Sequence, residues 1–278
     1  MCPPCNHNLS VPAKLPTRRA MTLIELVIAM TIMVMVAGTM GALAKTVQQG
    51  YEYNEGHGLA TQHGRVAVDR ITRTALEATA NEHFPGMIVV AESVAGWRFP
   101  DTLVVWRPDG SAADPEGLPL FSELVIYTPH ATLPNRLLEI TVPGDNRIVP
   151  TVDDTSQWRT EIAAIKNSMR ARAVVLTDLV RSGLVPEESS SAWRGAVRFE
   201  TRLCPSQAEW DSYKAGYRDW DDLAWVQGIR GTSTGLRQVW LRMELQLMPG
   251  EGSVASDASG DRPIPFFGSA AHYHEMHR

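Results

Sequence analysis

Glu25 is the only ionisable side chain between Met21 and Ala44, in a run that is otherwise apolar or carries small hydroxyl residues. At about 1.5 Å per residue, a helix of that length reaches roughly 36 Å, enough to cross a bilayer. Inserting an ionised carboxylate in such a segment costs about 2.5–3.5 kcal/mol. Either Glu25 reaches the nearby interface, about one helical turn from Met21, or it meets a cation brought to it. Lys14, Arg18 and Arg19 stand just before the run, and only Lys45 opens its far side. That asymmetry keeps the N-terminus in the cytoplasm and sends the rest of the chain outward.

Other candidate chemistry is sparse. Cys2 and Cys5 form a Cys-Pro-Pro-Cys pair with no second ligand pair for zinc, and Cys204 stands apart from both. His272, His274 and His277 surround Glu275 near the end of the sequence, where solvated side chains are expected rather than a metal site. The run Asp219-Trp220-Asp221-Asp222 lacks the spacing of a calcium loop. There is no His-Glu-x-x-His and no phosphate-binding glycine loop, and His57, His63, His83 and His130 are scattered. No catalytic residues and no cofactor are assigned, and a structural rather than enzymatic protein is expected. The formal charge of −5, or −8 without Lys14, Arg18 and Arg19, argues against nucleic acid as a partner.

The elements that would position these residues follow from periodicity. Residues 45–84 read as a continuation of the helix, with Ala67, Ile71, Ala75 and Ala78 on one face. Arg65, Asp69, Arg73 and Glu77 form a charged ladder on another. Gly56-His57-Gly58 is expected to bend or unwind it. After Pro85-Gly86 the period changes to two. Short strands are expected at Met87–Ala91, Leu103–Arg107, Leu124–Tyr127 and Leu137–Val142, broken by turns at Arg107–Gly110 and Pro143–Asn146. An Asp154-capped helix with Trp158, Ile162, Ile165 and Met169 on its apolar stripe comes next, then a strand at Ala173–Leu176. Ser189–Ser191 marks a loop. Clean two-residue alternation marks strands at Val197–Leu203 and Val239–Leu247. From 249 to 278 a disordered tail is expected. The fold class is therefore α+β, a long N-terminal helix packed on antiparallel sheet, with 85–248 as the β-rich domain and helical material near 155–172.

The order Arg18-Arg19-Ala20-Met21-Thr22-Leu23-Ile24-Glu25-Leu26, followed by the apolar helix, resembles the prepilin signal of type IV pilins and type II secretion pseudopilins. A secretory signal would put its small residue at the far end of a shorter apolar stretch, whereas Ala20 sits at the near end. The resemblance implies that a prepilin peptidase cuts between Ala20 and Met21, discarding residues 1–20 with the basic Arg18 and Arg19. It further implies N-methylation of Met21 and pairing of Glu25 with that amine during filament assembly. Ala20 stands where Gly is usual, and Met21 where Phe is usual.

The stretches Val174–Val180, Val197–Arg202, Leu223–Val226 and Leu236–Leu241 are similar to the C-terminal half of the J-type minor pseudopilin, with residues 149–172 resembling an insertion. That implies residence in the inner membrane and a periplasmic domain. The implied partners are the I-type and K-type minor pseudopilins and the major pseudopilin, with no small-molecule substrate. A minor pilin of a type IV pilus or DNA-uptake system shares the N-terminal features. A membrane-anchored binding module is the alternative of another class.

Overall fold

The computed structural model describes residues 21–94, 96–186, 191–224, 234–249 and 262–278. The chain divides into two units, residues 1–52 and 53–278, and helix α1 (Leu23–Leu76) contributes to both. In the first unit every described residue of α1 is exposed, and its apolar stretch is long and hydrophobic enough to cross a membrane. Its hydroxyls are satisfied within the helix: Thr31 donates to the Val27 carbonyl at 2.8 Å and Thr46 to that of Ala42 at 3.0 Å. In an apolar surround such hydroxyls would find no other partner, and back-bonding would remove that desolvation cost.

In the second unit five antiparallel strands form a meander, β1 (Met87–Val94), β2 (Trp97–Trp106), β3 (Leu124–Pro129), β4 (Leu137–Thr141) and β5 (Arg172–Thr177), in that spatial order. A hairpin, β6 (Ser182–Pro186) with β7 (Ser191–Gly195), precedes a second antiparallel sheet. That sheet comprises β8 (Val197–Cys204), β9 (Thr234–Leu247) and β10 (Ile264–His277), with β9 central. Two further helices are α2 (Thr155–Lys166) and α3 (Gln207–Lys214).

Side-chain alternation splits β2 between two cores. Leu103 and Val105 join Ala67, Ile71 and Ala75 of α1 together with Phe199, Leu241, Met243 and Leu245 of the second sheet. Val104 and Trp106 face the other way, onto Trp158, Ile162 and Ile165 of α2. A strand buried on both faces reads as a continuous apolar run, as Leu103–Trp106 does, whereas β8 and β9 keep one polar face and alternate cleanly. The helical segment between β4 and β5 therefore covers one face of the five-stranded sheet.

The sequence-based strands and both turns are present, with Gly110 and Gly144 at positive φ. Asp154 caps α2 by accepting from the Gln157 amide at 2.9 Å. Met169 lies beyond the end of α2 and is fully exposed, so the stripe stops at Ile165. The charged ladder is exposed along its length, with Arg73 and Asp69 paired at 3.1 Å.

Three expectations are corrected. Gly56-His57-Gly58 is helical throughout. There the Tyr53 and His57 rings, one turn apart, lie 4.2 Å from each other and support the segment that the glycines weaken. The helix ends at Leu76 rather than in the low eighties, because the Thr79 amide turns to the Trp106 carbonyl at 2.8 Å and Asn81 Oδ1 accepts from the amides of His83 and Phe84. The tail is not wholly disordered: Ile264–His277 pairs with β9 residue for residue. Residues 187–190, Trp225-Val226 and 250–261 lie outside the described residues.

Glycine explains how β10 fits against α1. A Cβ on Gly64 would come within 2.5 Å of the Phe266 ring, and one on Gly268 within 2.7 Å of Val68. The second unit thus needs a small residue at Gly64, although glycine there weakens the helix itself. Gly64→Leu is expected to destabilise the fold by about 2 kcal/mol through overpacking. Combining it with Phe266→Ala is expected to recover part of the loss, read as denaturant midpoints of the detergent-solubilised chain.

Candidate assembly site at the start of the long helix

Thr22 precedes the first residue of α1 and Glu25 is its third. The Glu25 Oε2 accepts from the Thr22 amide at 2.9 Å and from the Thr22 hydroxyl at 3.0 Å, while the Glu25 amide lies 3.4 Å from Thr22 Oγ1. This is a capping box, in which threonine and glutamate three residues apart satisfy each other's backbone donors. The helix dipole adds to it by favouring negative charge in the first turn. The carboxylate is held at the very start of the apolar segment, one turn from Met21, and both residues are exposed. The Thr-x-x-Glu spacing was readable in the sequence; Thr22 is the participant that apolar patterning alone overlooks. Lys14, Arg18, Arg19 and Ala20, like Cys2 and Cys5, lie outside the described residues.

Several other ionisable groups tie elements together. Arg70 of α1 grips Glu139 of β4 with two bonds at 2.8 and 2.9 Å. The single proton of the Tyr127 hydroxyl is shared between Thr74 Oγ1 at 2.7 Å and Glu139 at 3.1 Å. The Arg70 guanidinium holds the Glu139 carboxyl below its ordinary range, against the opposing effect of burial. Glu92 of β1 takes Lys166 of α2 at 3.2 Å and Arg194 of β7 at 2.5 Å. Buried Asp101 lies 3.8 Å from Arg194, and desolvation pushes its pKa up to about 6. These contacts fasten α1 and α2 onto the five-stranded sheet.

Arg194 also lines a cleft of about 890 Å³ between the start of β2, the β6–β7 hairpin and β8, with Phe99, Leu184 and Phe199 among its walls. Its guanidinium is already committed to Glu92, so the charge there holds the fold together. Gly231-Thr232-Ser233-Thr234-Gly235 has the spacing of a nucleophile elbow. Such an elbow turns from a strand into a helix, whereas here Thr234 and Gly235 open strand β9; residues 231–233 lie outside the described residues.

Asp219, Asp221 and Asp222 are exposed around Trp220, which is buried against Trp210 and Met276; the run anchors an indole. The histidines expected to be solvated divide. His277 is exposed, but His272 and His274 are partly buried on β10, and burial lowers the pKa of both. Among the described residues no group of three or more His, Cys, Asp or Glu side chains is arranged to hold a metal ion. Comparison with protein-family models, with curated proteins and with solved structures gave no match.

Proposed function

We propose that this chain is a non-enzymatic minor pseudopilin of a type II secretion system. A prepilin peptidase cleaves it between Ala20 and Met21, and it joins the initiating or tip complex of the periplasmic pseudopilus. α1 anchors it in the inner membrane with the N-terminus in the cytoplasm and the β-rich domain in the periplasm. The observation that carries this reading is the Thr22–Glu25 capping box, which fixes a carboxylate at the head of an apolar helix next to the position of the new amine. Methylating that amine keeps its charge, so pairing between Glu25 of one subunit and Met21 of the next survives processing. The α+β fold, a long N-terminal helix with antiparallel sheets, agrees with a pilin-like subunit.

The test is intact mass spectrometry of the chain isolated from its native membrane, with identification of co-purifying proteins. The expected result is an N-terminus at methylated Met21 together with I-type and K-type partners. A retained leader with no sister subunit overturns the reading. Recovery of a major pilin instead moves the chain to a type IV pilus or DNA-uptake system.

A further inference from the structure

The cleft of about 890 Å³ beside the β6–β7 hairpin is bounded by runs of successive residues, Gly183, Leu184 and Val185 on β6 and residues 194–201 along the end of β7 and the start of β8. Alternate side chains of a strand point to opposite faces, so a wall of consecutive residues is a strand seen edge-on, with its main chain turned to the space. β8 is the outer strand of its sheet, and β6 pairs with β7 in a sheet of two. The Ala196 carbonyl accepts from the Gln246 amide of β9 at 3.0 Å. Across the trans peptide the Val197 N–H points the other way, and from there the N–H and C=O groups of Val197, Phe199 and Thr201 turn away from β9. Among the described residues no strand pairs with that edge of β8, and no backbone hydrogen bond reaches these groups from elsewhere.

The walls are apolar and the rim is basic. Phe99, Pro100, Leu184 and Phe199 supply the apolar part. Arg194 is held by Glu92, and its guanidinium carbon lies 5.7 Å from the Phe99 ring centroid, which fixes the hairpin against β2. Two carboxylates, Glu200 and Glu244, reach the cleft, and the β8–β9 register sets them opposite Arg242 and Arg198. Arg98 and Arg181 remain in excess. Both are exposed, neither forms an ion pair among the described residues, and Arg181 donates to the neutral Gln246 Oε1 at 3.3 Å.

We propose that this cleft binds a short, extended, acidic segment of another protein, which adds as a strand to the free edge of β8 and sets its carboxylates against Arg98 and Arg181. Main-chain donors and acceptors at every second residue select an extended peptide over a compact ligand. The excess of arginine selects acidic side chains, and the apolar walls take the residues that alternate with them. Such binding needs neither a leader nor a filament, so it stands or falls separately from the proposed function.

The test is fluorescence anisotropy of a labelled peptide of alternating Asp and Val, titrated with the full chain in nonionic detergent at low ionic strength. Saturable binding is expected, at least about tenfold tighter than to the same peptide with Lys in place of Asp. The peptide with every main-chain nitrogen methylated cannot pair as a strand and is expected to bind at least about tenfold more weakly. Arg98→Gln combined with Arg181→Gln is expected to weaken binding about fivefold with Tm unchanged, because both side chains are exposed. Leu184→Asp, which places a like charge in the wall, should weaken it at least as much. No saturable binding by the unaltered chain overturns the proposal. Binding that the double arginine variant leaves unchanged lies elsewhere and overturns it equally. Equal affinity for the methylated peptide or for the Lys peptide removes the strand pairing or the charge selection, and the proposal with it.

Discussion

Glu25→Gln is expected to insert in the membrane, be processed at Met21 and keep its helix start, yet fail to enter the filament. Glutamine can replace glutamate in a capping box, so the contacts to the Thr22 amide and hydroxyl persist in kind. What disappears is the negative charge available to an incoming amine. In a low-dielectric surround that attraction is worth far more than at an exposed surface, so recovery of partner pilins should fall at least about tenfold. Glu25→Ala removes the cap as well and adds about 1 kcal/mol of helix destabilisation, fraying the first turn. Comparing the two by co-purification separates the role of charge from that of the cap. If Glu25→Gln assembles normally, Glu25 is a helix-capping residue and nothing more.

Ending the chain at Pro249 is expected to destroy the folded domain. β10 forms a fourteen-residue pairing with β9 and brings Phe266 against Gly64 and Gly268 against Val68. Its loss bares the hydrogen-bonding edge of β9 along that length and uncovers core residues such as Met243, packed against Gly268. A domain of this size is stable by only about 5–15 kcal/mol, less than an entire strand and its packing contribute. The truncated chain should be cleaved throughout by trypsin under conditions in which the full chain resists. Unchanged resistance would mean that the segment is dispensable, as a solvated tail would be.

β10 also shows why part of the fold escaped sequence reasoning. Its alternation is real, but inward positions include Gly268 and Ala270, small because α1 passes so close. Little apolar volume on the buried face means little periodic signal, and the preceding stretch rich in Gly, Ser and Asp pulls the reading towards disorder. Arg237 was hidden for a related reason. It occupies an inward position of β9 next to Val239 and Leu241, where a charged residue suggests that the strand has not yet begun. The same limit applies to the end of α1: the helical pattern of alanines runs on past Leu76, and the break comes from Thr79 and Asn81 finding partners in other elements.

The sequence by itself determined the long apolar helix, its single carboxylate, the α+β class, most of the strands and the capped α2. These rest on local composition and on periods of two or about 3.6 residues, which survive without knowledge of neighbours. Only the tertiary structure decided that residues 264–277 are a core strand and that Gly64 is a close-packing site rather than a weakness. It also decided that His272 and His274 are partly buried and that Arg237 faces His274 across a sheet. Each depends on a partner seventeen or more positions away, and no local pattern encodes which distant residue will be there.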